Sequence, residues 1–172
     1  SMLIENGKIK KIANGVIEEK GAALIDVKDN YIYPSFIDLY AQYGIAPNTP
    51  KSNNGYPQSL SDKQGAYDWN EAIRAEYNAY ESFKSDTKQA QSYLENGFGA
   101  LLTHNMDGIV RGSGALVSLS THKKEQEIFI QPQAAGYYSF DKGSSQQDYP
   151  NSLMGSIALL RQTYYDAQWY KT

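Results

Sequence analysis

Apolar and polar positions along this chain follow two rhythms, alternation near the start and a helical spacing later. Leu3-Ile4-Glu5-Asn6-Gly7-Lys8-Ile9-Lys10-Lys11-Ile12 splits at Asn6-Gly7 into two short runs. Asn-Gly supplies both positive-φ positions of a type I′ turn, so the stretch predicts a β-hairpin. Ala22 to Val27 and Tyr31-Ile32-Tyr33 are apolar runs that read as two more strands, and Phe36 to Tyr40 as another after Pro34. Residues 44–66, with Pro47, Pro50, Gly55, Pro57 and Gly65, form a loop longer than most internal connections. It reads first as a crossover and second as a functional loop. Beyond it the spacing turns helical. Asn70 caps an expected helix from Glu71, with Ala72, Ala75, Ala79 and Phe83 on its stripe. Ser85 or Asp86 caps a second helix ending at Asn96-Gly97, and Phe98 to Thr103 follows as a buried strand. Helix, Gly stop and apolar strand make the βαβ rhythm of a parallel sheet. Gly108 to Leu119 reads as a Gly-rich turn feeding a strand, Ile128 to Ile130 as a further strand, and residues 141–150 as polar loop. Asn151 to Tyr170 predicts a helix with Leu153, Ile157, Leu160 and Tyr164 on one face.

Composition narrows the function classes. At 172 residues the chain is one ordinary domain or a piece of a larger one. Net charge is -3 and no basic stripe is present to neutralise phosphates, which argues against nucleic acid as a partner. No apolar run reaches the ~18 residues of a membrane span, and no signal peptide is visible. Ser1-Met2 reads as a cloning remnant, which leaves room for an upstream leader. Cysteine is absent, which excludes disulfides and thiolate chemistry. Fifteen tyrosines give a neutral, hydrogen-bonding surface and point to a periplasmic or secreted protein.

Tyr33-Pro34-Ser35-Phe36-Ile37-Asp38-Leu39-Tyr40-Ala41-Gln42 resembles the first barrel strand of the amidohydrolase superfamily. There the pattern is P-G-F-I-D-x-H-x-H, and the two histidines bind a catalytic metal, zinc in active relatives. Asn96 to Thr103 is similar to the second barrel strand. Asp107 to Leu119 and Tyr149 to Tyr170 are similar to segments of secreted imidazolonepropionase-like members. The resemblance implies an α/β fold in two parts. Residues 1–34 would be part of a β-sandwich domain, entered after its first strands. Residues 35–172 would be the first βα units of an incomplete TIM-like barrel, a fold of about 250 residues when whole. The family's remaining metal ligands, a Lys or carboxylate, two His and an Asp, lie on later strands.

The departure from the pattern matters as much as the match. Residues two apart on a strand share a face, so imidazoles at that spacing can grip one ion. Tyr40 and Gln42 stand in the two histidine positions. A phenol with a pKa near 10 and an amide oxygen are poor zinc donors, so no metal is expected on this strand. Asp38 shares their face and reads as an ion ligand or, more simply, as a carboxylate tying the strand end to backbone N–H groups. His104, at the mouth of the second barrel strand, is a candidate site residue, against the plainer reading of a hydrogen-bonded loop histidine. His122 sits among charged residues and reads as solvated surface. Arg111 is a candidate for an anionic substrate group, but the glycines around it lack the Lys-Ser/Thr of a phosphate loop. Tyr137-Tyr138, Tyr164-Tyr165 and Trp169-Tyr170 read as sugar-stacking aromatics or as domain-interface anchors.

These readings converge on a non-catalytic amidohydrolase-like piece with no cofactor of its own, a scaffold or partner for another amidohydrolase module. Its expected partners are the remainder of the parent polypeptide or another copy of the chain, because open sheet edges invite pairing. Two alternatives stay open. One is a metal-dependent hydrolase of non-peptide C–N bonds whose ligands come from downstream sequence, with Asp38, His104 or water replacing the missing histidines. The other is a glycan- or peptide-binding module that uses Tyr137 and Trp169.

Overall fold

The structure, a computed structural model, describes residues 1–48, 58–120 and 127–172. Part of the expected loop 44–66, and His122, therefore lie outside the described residues. The chain divides into two compact units, Ser1–Pro34 and Ser35–Thr172.

In the first unit, β1 (Met2–Glu5) and β2 (Lys8–Ile12) pair antiparallel. Asn6 (φ 53°) and Gly7 (φ 73°) turn between them, as Asn-Gly requires. The strands expected over Ala22–Val27 and Tyr31–Tyr33 do not form. A strand exists through its ladder, and these runs have none among the described residues. Local bonds shape the chain there instead: the Asp26 carboxylate accepts from Lys28 N–H, and Asn30 N–H reaches Val27 C=O. Leu24 and Ile25 are 90% and 79% exposed as a result.

The second unit holds a four-stranded mixed sheet in the order β3-β4-β5-β6. These strands are Phe36–Ala41, Phe98–Thr103, Val110–Ser118 and Phe129–Tyr138. β3 and β4 are parallel and joined through α1 (Ala79–Ser82) and α2 (Thr87–Glu95). The parallel rhythm then stops, because β4–β5 and β5–β6 are antiparallel. α2 begins and ends where its sequence signals lie. The Asp86 carboxylate accepts from Lys88 and Gln89 N–H, and Gly97 leaves the helix at φ 86°. Tyr43, Phe83, Ala90, Leu101, Val117, Leu119 and Ile128 form the core between helices and sheet.

The helix expected from Glu71 to Phe83 is replaced by an extended segment with one short helical turn at its end. Asn70 does not cap a helix; its side chain accepts from Ala72 N–H and donates to Tyr149 C=O. Residues 72–78 then run alongside the first half of β5, with Arg74 N–H on Val110 C=O and Ser113 N–H on Tyr77 C=O. β4 pairs only with the second half of β5, so this segment takes up hydrogen bonds that β4 leaves free. Gln147, 1% exposed, fastens the segment from above. Its Oε1 accepts from Glu71 N–H, and its Nε2 donates to Ser59 and Trp69 C=O.

β6 extends well past the expected Ile128–Ile130 and runs through Pro132. An edge strand tolerates the missing N–H of proline, and β6 is an edge. α3 (Leu153–Lys171) starts at Ser152, whose hydroxyl accepts from Gly155 N–H. The expected stripe is rotated: Ser156 and Leu159 are buried, whereas Leu153 and Tyr164 are more than half exposed. The Ser156 hydroxyl donates to Phe140 C=O, which turns its own face inward, and Leu159 packs with Ile73, Ile109 and Val110. Among the described residues no helix is long and apolar enough to cross a membrane.

Candidate functional site

Alternation along β3 sets Asp38 and Tyr40 on one face, and Gln42 follows just past the strand's end. The β3–β4 ladder is irregular between Asp38 and Ala41, and side chains satisfy the peptide that leaves it. Asp38 Oδ1 accepts from Tyr40 N–H at 2.9 Å, while Leu39 C=O accepts from the Tyr137 hydroxyl at 2.7 Å. β3 and β6 are separated by two strands, about 14 Å in a flat sheet, so this last bond means the sheet curls here. Arg111, on β5 and 6% exposed, donates through Nε to Gly108 C=O and through Nη1 to the Tyr40 hydroxyl, the latter at 2.6 Å. Gln42 is half-buried and makes no side-chain hydrogen bond among the described residues.

His104 follows β4 directly and sits under this group. Expected as a hydrogen-bonded loop histidine, it is fully buried, and neither ring nitrogen has a hydrogen-bond partner among the described residues. The Tyr137 ring stacks flat on it, at 3.5 Å and 5°, and Tyr40 meets it edge-on at 4.6 Å. Burial, helped by the Arg111 charge, lowers its pKa to about 4 against the weaker pull of Leu102 C=O and Asp38. The imidazole is therefore neutral near pH 7. Burial also raises the Tyr137 phenol, helped by Asp38 and Tyr40 beside it.

Asp38, Tyr40, His104 and Arg111, candidates on three separate strands or strand ends, thus come together. Tyr137 completes the cluster as its lid rather than as a free stacking surface. Trp169 lies on the last turn of α3 and is 80% exposed. Gly114 gives Tyr137 its seat: a Cβ there would stand 2.6 Å from the ring and 2.9 Å from Thr103 C=O. Gly114→Ala should therefore lift the ring off His104 at a cost of about 1–3 kcal/mol. Urea unfolding and near-ultraviolet circular dichroism check this, and an unchanged aromatic signal at full stability would contradict it.

A second polar cluster lies just past β4. The Asp107 carboxylate meets Arg74 Nη2 at 2.7 Å, accepts from Ser144 N–H and hydroxyl at 2.6 Å each, and accepts from Asn48 at 2.8 Å. Burial alone would push Asp107 up; the Ser144 and Asn48 bonds and the Arg74 charge outweigh it and hold the carboxyl below its usual value. Asp107 and Arg74 are both mostly buried. Among the described residues no three His, Cys, Asp or Glu side chains are grouped to hold a metal ion.

No family model and no curated protein matches this chain. Among solved structures, an amidohydrolase from Thermotoga maritima MSB8 is similar, with a TM-score of 0.72 at 19% sequence identity. The match covers 99% of this chain and 43% of that one, so the chain spans less than half the length of its structural neighbour. The likeness is one of fold: mixed α/β, in a distantly amidohydrolase-like arrangement.

Proposed function

We propose that this chain is a non-catalytic amidohydrolase-like segment that acts as scaffold or partner for another amidohydrolase module. The contact between Arg111 and Tyr40 carries the reading. The resemblance puts a metal-binding imidazole at position 40, and here a permanently charged guanidinium occupies that phenol's oxygen. A divalent cation brought to the same place meets a like charge in a partly desolvated setting, where repulsion is strong. Gln42 offers only a weak amide oxygen, and His104, the one imidazole among the described residues, lies beneath Tyr137. These residues do not fit a zinc ion.

The partner role draws on the sheet edges. β3 is an edge strand on which Phe36, Ile37 and Leu39 are 65%, 57% and 66% exposed. The other edge, β6, carries Pro132, which bars continuous strand addition. A partner, either the rest of a longer polypeptide or a second copy, therefore covers the β3 side.

The alternative hydrolase reading has one observation in its favour, the neutral His104 with both nitrogens free. Zinc loading followed by plasma mass spectrometry separates the two. Essentially no retained zinc is expected; about one zinc per chain, lost on His104→Ala, would replace the scaffold reading with the hydrolase one.

A further inference from the structure

We propose that Tyr137 is a side-chain gate over His104, able to swing away without unfolding of the sheet. Three features hold it closed: the stack on the imidazole, the hydroxyl bond to Leu39 C=O and the seat on Gly114. One feature opposes them. The closed ring keeps an imidazole fully buried with both nitrogens unpartnered, which is a penalty of the same order as the gain from one stack and one neutral hydrogen bond. Opening gives His104 back its water, and little else breaks. The Tyr137 side chain is itself only half-buried, and it sits where the β5–β6 ladder is already irregular, between the Gly136–Ser113 and Tyr138–Val110 pairs, neither of which depends on its ring. The open form brings an imidazole to the surface beside the Asp38 carboxylate and the Arg111 guanidinium, so this face of the sheet has a covered state and an exposed one.

Carbethoxylation of His104 by diethyl pyrocarbonate, followed by peptide-resolved mass spectrometry that separates it from His122, tests the gate. In the wild-type chain the His104 rate should be unaffected by sub-denaturing urea, the mark of a local opening. Tyr137→Phe, which keeps the stack and loses the tether, should raise that rate about fivefold. Asp107→Asn, which weakens the fold elsewhere, should leave it unchanged. A His104 rate that climbs with urea and with Asp107→Asn would mean that only global unfolding exposes the ring, and the gate would be overturned. A Tyr137→Phe rate within twofold of wild type would overturn it as well.

Discussion

Asp107→Leu is expected to cost about 4 kcal/mol, lowering the melting temperature by about 10 °C. The pair it breaks is mostly buried, and removing one member leaves Arg74 charged and without its counter-ion. Ser144 loses an acceptor for its N–H and its hydroxyl, and Asn48 loses its short bond. Those groups join residue 48, the segment after Asn70 and the loop before α3, so the damage is shared between distant stretches of chain. Asp107→Leu combined with Arg74→Met should be less damaging than Asp107→Leu alone, because an apolar pair leaves no orphaned charge. Urea unfolding of the single and double variants measures this. A single-variant loss below about 1 kcal/mol would show that water screens the pair as it does at a surface. The pH dependence has a defined sign. The folded carboxyl lies below its ordinary 3.8, so its contribution is complete above that value and is lost as pH falls below it.

Local chemistry was legible in the sequence and long-range chemistry was not. Asn6-Gly7 makes its turn, and Asp86 with Asn96-Gly97 bounds α2, because each signal acts within a few residues. β3 and β4 were visible as apolar runs that do find a partner in each other. Ala22–Val27 is just as apolar and forms no strand, since apolarity says nothing of whether a ladder partner is at hand. The stripe of Ala72, Ala75, Ala79 and Phe83 suggested a helix, but β5 offered the same backbone hydrogen bonds from far along the chain, and Asn70 bent the entry with its own side chain. Pro132 hid most of β6, for a proline is compatible with a strand only when that strand is an edge. The polar candidates Asp38, Tyr40, His104 and Arg111 each stand out in the sequence, yet Tyr137, reaching across from β6 over Gly114, is what closes the group over His104. No spacing in the sequence announces a contact between residues 137 and 104.

That contact predicts how the fold responds to acid. Between pH 7 and pH 4 the wild-type chain should lose about 3 kcal/mol that a His104→Leu variant does not lose. The imidazole titrates near 6.5 when unfolded and about 4 when folded. Above 6.5 both states are neutral and His104 adds no pH dependence. Between 6.5 and 4 the unfolded chain binds a proton that the folded chain refuses, so stability falls as pH falls; below 4 both forms are charged and the loss stops growing. The window lies above that of Asp107, so the two groups can be told apart in one pH series. Leucine fills similar space, removes both unpartnered nitrogens and cannot charge. His104→Leu should therefore be near wild type at pH 7 and draw ahead as acid is added. Urea midpoints at several pH values for both chains supply the difference, with the titration of every other group cancelling to first order. Parallel curves from pH 7 to 4 would mean that His104 charges freely inside the fold, which requires water or a partner at its nitrogens and would contradict the closed Tyr137 lid.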